Sequence, residues 1–227
     1  CESRCFSCRF ISRIRTEEVR RSPPHVLLAV SRAIAREHTV LPWAADRLRV
    51  LYNPVSIVTR ERAAAPGHGR PLTFGFLGRL AKDKGVATLL DAFTRAELPD
   101  AKLVVAGRGD LEDRVLAAPG VEYAGWVSAD EKERLLDRID CLVVPSEWRD
   151  PAPLVTNEAR ARGIPVIGAT IGGIPELVAP ECEPLLFPPG DAGALLDRLR
   201  TYAASPDPFR PPPAAAPLDW EGHLAGV

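Results

Sequence analysis

Residues 145–178, PSEWRDPAPLVTNEARARGIPVIGATIGGIPELV, decide the fold. Two acids, Asp150 and Glu158, stand with seven residues between them. A proline-containing turn comes first. A predicted helix over 153–162 follows, with proline at its start and Gly163 at its end, both favoured positions for those residues. Then come a short apolar strand ending at Gly168 and the loop Gly172-Gly173-Ile174-Pro175-Glu176. One acid before a helix and another inside it can present two carboxylates to a single polyhydroxylated ligand. The strand and glycine loop can wall that ligand in.

The same rhythm extends in both directions. Predicted strands cover 25–31, 48–52, 72–77, 102–106, 121–123, 141–144, 166–168 and 184–187. Predicted helices cover 32–38, 85–96, 110–117, 128–138, 153–162 and 191–203. Val86, Leu89, Leu90 and Phe93 recur at helical spacing, and Ser128 with Glu131 makes a capping box. Strand 141–144, CLVV, is apolar throughout, as in strands covered on both faces. Alternation of this kind predicts a doubly wound, parallel, Rossmann-like α/β sheet, whose ligands bind at the carboxyl ends of the strands. Residues 1–55 read as the tail of a preceding domain plus a hinge, 56–71 as a linker, 72–204 as a ligand-binding domain and 205–227 as a Pro-rich tail.

The 227 residues suffice for one α/β core with a little left over. At 46% hydrophobic and 26% charged, the composition is that of a globular chain. A net charge of −1 supplies no field to attract nucleic acid or anionic lipid. No apolar run reaches the ~20 residues of a membrane helix. The chain starts at Cys1 and has no methionine, which is expected of a fragment. Cys1, Cys5 and Cys8 match the spacing of radical-SAM iron–sulfur motifs, but too few strand–helix units follow for that barrel. They read as a structural loop or an adventitious zinc site. Cys141 reads as a core residue, Cys182 as a loop residue, and the four histidines are scattered.

The loop Gly78-Arg79-Leu80-Ala81-Lys82-Asp83-Lys84-Gly85 joins a strand to a helix. Such a loop can hold phosphate. Arg79 offers a planar fork and Lys84 a point charge. The helix start adds its positive end, and Gly78 permits close approach. Lys82 is expected to face solvent. Taken alone, the loop is equally a solvated basic turn.

Arg79 and Lys84 after the first strand of the domain, the acid pair Asp150 and Glu158, and the Gly172–Gly173 loop together resemble family 4 glycosyltransferases. The likeness is to the C-terminal, nucleotide-sugar-binding half of their two-domain B-type fold. It covers roughly residues 24–205 and is strongest from 72 to 178. It implies a retaining transfer of sugar from a nucleotide-diphospho-sugar to a glycan, lipid-linked glycan or small molecule. Arg79 and Lys84 would hold the diphosphate, Asp150 the sugar hydroxyls, and Glu158 the ribose. Arg108 after the second strand, with Trp126 and Val127 after the third, would lie by the nucleotide, Trp126 either stacking or packing in the core. Leu154 and Val155 would donate backbone N–H groups, and Gly172 and Gly173 would close the sugar pocket. Aspartate stands at 150 where the family usually has glutamate. Pro151-Ala152-Pro153 replaces the usual Gly-Phe-Gly, which removes amide donors. A non-catalytic nucleotide- or sugar-binding module with decayed chemistry therefore stays open.

There is no Asp-x-Asp motif or histidine cluster. No cofactor or metal is expected, and fixed cations and amides would stabilise the leaving diphosphate. The implied partners are a nucleotide sugar, a glycosyl acceptor and an N-terminal domain mostly missing here, with no nucleic acid. The implied setting is glycan biosynthesis in the cytoplasm, with peripheral contact at the inner face of a membrane left open. The fragment alone is expected to be inactive.

Overall fold

The computed structural model describes residues 21–22, 25–38, 45–55 and 70–212. Cys1, Cys5 and Cys8, most of the linker and the end of the Pro-rich tail lie outside them. The chain divides into two compact units, Cys1–Tyr52 and Asn53–Val227.

In the first unit, strand β1 (Leu27–Ala29) pairs in parallel with β2 (Leu48–Val50), Leu27 opposite Leu48. Helix α1 (Arg32–His38) lies between them in sequence and spans the predicted residues. The Ser31 hydroxyl accepts from the Ile34 N–H at 3.3 Å, a side-chain cap. Both strands are shorter than predicted.

The second unit begins its sheet with β3 (Leu72–Leu77), followed by α2 (Val86–Ala96) and β4 (Ala101–Ala106). Then come α3 (Glu112–Leu116), β5 (Val121–Gly125), α4 (Ala129–Arg138) and β6 (Cys141–Val144). The last elements are α5 (Leu154–Ala161), β7 (Val166–Gly168), α6 (Ile174–Leu177) and α7 (Ala192–Ala204). The five strands pair in parallel in the order β5-β4-β3-β6-β7. The chain steps outward from β3 through β4 to β5, then crosses back to lay β6 on the other side of β3. The switch point of this α/β sheet therefore lies between the carboxyl ends of β3 and β6, where ligand crevices form in such folds.

Burial explains the sequence pattern. All four residues of β6 are buried, whereas the edge strand β5 alternates exposed with half-buried positions. Helix α2 buries Val86, Leu89, Leu90 and Phe93, the apolar stripe of the sequence. Phe74 on β3 meets Phe93 and Tyr202 edge to face, with ring centroids 6.1 and 5.8 Å apart. The Tyr202 hydroxyl donates to the Asp140 carbonyl at 2.8 Å. Asp140 itself is fully buried and takes both Arg70 guanidinium nitrogens, at 2.9 and 2.6 Å, and the Thr73 N–H at 2.9 Å.

Three local expectations are corrected. Residues 184–187 do not form a strand: Pro180–Leu185 is a 3-10 helix, and beyond it Phe187 makes a single bridge to Ala169. Pro180 and Pro184 fix φ and lack N–H donors, so a sheet ladder fails there. Part of the glycine loop is helical, as α6, with proline in its first turn. Cys182 is not a loop residue but sits in that 3-10 helix, buried, its thiol donating to the Phe209 carbonyl at 3.2 Å and pushed up in pKa by burial.

Candidate functional site

The loop after β3 and the loop after β6 meet at the switch point. Lys82–Lys84 forms a 3-10 turn that ends at Gly85, whose φ of 70° is left-handed. A Cβ at Gly85 would lie 1.8 Å from the Pro145 carbonyl oxygen, so only glycine allows the two loops to touch. The Asp83 carbonyl then accepts the N–H groups of Glu147 and Trp148, at 2.9 and 3.2 Å. Glu147 also accepts from the Thr88 hydroxyl at 2.5 Å, which occupies the other acid of this loop.

These contacts bring Lys84 Nζ to 2.5 Å from Asp150 Oδ2. The pair is mostly shielded, with 24% and 11% of the two side chains exposed. Lys84 also lies 5.9 Å over the Trp148 ring. Arg79 is more open and pairs with Asp83 at 2.7 Å. The glycine loop backs onto Asp150. Gly173 N–H donates to the Asp150 carbonyl at 2.8 Å, and a Cβ at Gly172 would lie 2.2 Å from that same oxygen.

A cleft of about 330 Å³, lined by Arg79 from the loop that also carries Lys84, opens at the carboxyl ends of β3, β4 and β5. Gly78, Arg79 and Arg108 form one wall. Trp126 and Val127 follow β5, and Leu154, Val155 and Glu158 come from the start of α5. Pro153 occupies the N-cap of α5 without a side-chain bond, so the first amides of the helix point away from its end uncapped. Trp126 is 65% exposed, which settles it as a rim residue and not a core aromatic. Lys82 is exposed, as expected.

Of the predicted site residues, eight line this one cleft. Lys84, Asp150, Gly172 and Gly173 cluster around Asp150 instead. Sequence reasoning missed Lys132, which also lines the cleft and stands 2.5 Å from Glu158 Oε1. Its one signal was a lysine directly after the capping-box acid, one turn into α4, where a cation gains nothing from the helix dipole. The capping box itself is formed, and the Ser128 N–H and hydroxyl hold the Glu131 carboxyl below its ordinary value. The Tyr123 hydroxyl is held above its ordinary value by desolvation and by Glu112, and it donates to the Gly107 carbonyl at 3.0 Å.

A larger cavity, about 790 Å³, lies at the opposite ends of β3 and β4, between Leu72, Leu98, Ala101 and Ala203. Its two arginines are already engaged: Arg70 by Asp140, Arg200 by the carbonyls of Ala96 and Arg95. The smaller cleft is the one with chemistry at its walls. Among the described residues, no three His, Cys, Asp or Glu side chains converge as a metal-ligand set. No helix among them is long and apolar enough to cross a membrane.

The family model for glycosyl transferases group 1 matches residues 71–205. An uncharacterized glycosyltransferase of Methanocaldococcus jannaschii is 34% identical over 114 residues, covering 47% of this chain and 29% of that protein. The sulfoquinovosyl transferase SQD2 of Arabidopsis thaliana is 33% identical over 132 residues, covering 55% of this chain and 25% of that protein. The chain thus spans less than a third of the length of these relatives. Among solved structures, Anabaena HepE in complex with UDP and glucose superposes with a TM-score of 0.72 at 21% identity, covering 87% of this chain and 58% of HepE. The lipopolysaccharide outer core galactosyltransferase WaaB, in its apo form, gives 0.69 at 24% identity over 81% of this chain and 54% of WaaB.

Proposed function

Because the chain belongs to the glycosyl transferases group 1 family, we propose that it carries the donor site of a retaining, family 4 glycosyltransferase acting on a nucleotide-diphospho-sugar. The observation that carries this reading is one cleft at the carboxyl ends of the strands, which collects Arg79, Arg108, Trp126 and Glu158, with the Lys84–Asp150 pair on the loops that follow β3 and β6.

Transfer breaks the bond between the anomeric carbon and the diphosphate, which leaves with the bonding electrons, while an acceptor hydroxyl bonds to the anomeric carbon and its proton passes to the departing diphosphate. Arg79 and Lys84 stabilise the charge that builds there. The first amides of α5, at Leu154 and Val155, add donors, and Gly78 lets the phosphates approach. Asp150 accepts from sugar hydroxyls and favours positive charge at the anomeric carbon, while Gly172 and Gly173 close the pocket behind it. Glu158 takes the ribose, and Arg108, Trp126 and Val127 surround the base. No proton donor is needed for a diphosphate, which separates this acid pair from the dyad of a hydrolase. The acceptor lies across the cleft, on the other half of a two-domain protein. Lipid-linked and soluble glycans both suit such an enzyme, in the cytoplasm or at the inner face of a membrane.

The test is a thermal-shift titration with UDP, GDP and ADP on the native chain and on Arg79→Ala. A rise in melting temperature with one nucleotide, lost in the variant, is the expected result. No rise with any nucleotide sinks the reading. One observation favours a second reading, a binding module without turnover: the Asp150 carboxylate is already engaged by Lys84. Transfer of sugar by the whole protein decides between them.

A further inference from the structure

Two ion pairs join α4 to α5, and they differ in setting. Glu133 pairs with Arg162, whose side chain is 8% exposed and whose guanidinium also donates to the Glu158 carbonyl at 3.0 Å. Neither Glu133 nor Arg162 lines the cleft. Lys132 pairs with Glu158 on the cleft wall itself, and a third of its side chain is open.

We propose that Lys132 is a specificity-determining residue that, together with Glu158, reads the vicinal hydroxyls of a ribonucleotide donor. The inference rests on the donor-site reading given above. Glu158 Oε1 is taken by the Lys132 ammonium, which leaves Oε2 as the free acceptor. The ammonium has two further N–H donors. A vicinal diol fits this arrangement well: one hydroxyl donates to Oε2 while its neighbour accepts from Nζ. A lone carboxylate would have to accept from both.

The test is calorimetric. UDP, GDP and ADP are titrated into the protein, and the nucleotide that binds is compared with its 2′-deoxy and 3′-deoxy forms and with pyrophosphate. Lys132→Met is expected to weaken the ribonucleotide about 10-fold or more, the loss of a charged hydrogen bond, and to shrink the ribo-to-deoxy preference in the same proportion. Pyrophosphate binding should stay within about twofold, and Lys132→Arg should recover most of the preference. A Lys132→Met protein that keeps the ribo-to-deoxy ratio overturns the inference, whether or not overall affinity falls. If the native protein binds none of the nucleotides, the donor-site reading itself has failed, and this inference with it. The melting temperature of each variant separates loss of contact from loss of fold.

Discussion

Lys84 Nζ and Asp150 Oδ2 lie 2.5 Å apart, an ion pair between the loops that leave β3 and β6. Removing one partner strands the other in a place with little water. Lys84→Met should cost about 1–3 kcal/mol of stability, and the double variant Lys84→Met/Asp150→Asn should cost less than the sum of the singles. Arg79→Ala should change stability by no more than about 0.5 kcal/mol, since its pair with Asp83 is open to solvent. Urea denaturation of the native protein, Lys84→Met, Asp150→Asn, the double variant and Arg79→Ala checks both statements. Equal losses for Lys84 and Arg79 would mean that the buried pair has no special role.

Gly85→Ala should be among the most damaging single substitutions in this unit. Its left-handed φ of 70° costs a non-glycine residue about 1–3 kcal/mol, and the new methyl collides with the Pro145 carbonyl. The loop at 145–150 must move away, so nucleotide-dependent thermal stabilisation should vanish even at temperatures where the variant is folded.

At the far end of the sheet, Arg70→Ala leaves the buried Asp140 carboxylate without its bidentate partner. A loss of about 2 kcal/mol is expected, below the full cost of breaking a buried pair because Arg70 is partly exposed. Arg70→Lys should recover less than half, since an ammonium cannot reproduce the fork. The midpoint of urea unfolding at an unchanged slope measures it.

The capping box of α4 makes a pH prediction. The Glu131 carboxyl is held below its ordinary value of 4.5 by the Ser128 backbone and side chain. A depressed folded pKa contributes stability that is fully present above the unfolded value and is lost as pH falls through the folded one. Glu131→Gln should therefore flatten part of the stability loss below about pH 4.5 and leave its slope between pH 6 and 8 unchanged. An identical acid limb in the variant would refute it.

Much of this architecture was legible because local and tertiary preferences agree. The run CLVV at β6 is apolar because both its faces are covered. Val86, Leu89, Leu90 and Phe93 mark one face of α2 because that face packs on the sheet. Family resemblance pointed to Arg79, Asp150 and Glu158. What it left unread was partnership. Nothing in the local pattern states that Lys132 meets Glu158, since the two approach only after α4 and α5 pack. The segment 184–187 failed for a different reason. Its apolar residues suit a strand, but the prolines at 180 and 184 deny it a ladder.

The Asp83 carbonyl, which accepts from both Glu147 and Trp148, has a mechanical consequence. Main-chain bonds lash together the two loops that carry Lys84 and Asp150, so the backbone holds the spacing between cation and carboxylate as long as Gly85 lets the loops touch. The sheet thus supplies a fixed ruler at its midline, set in the main chain rather than in the charges that it spaces.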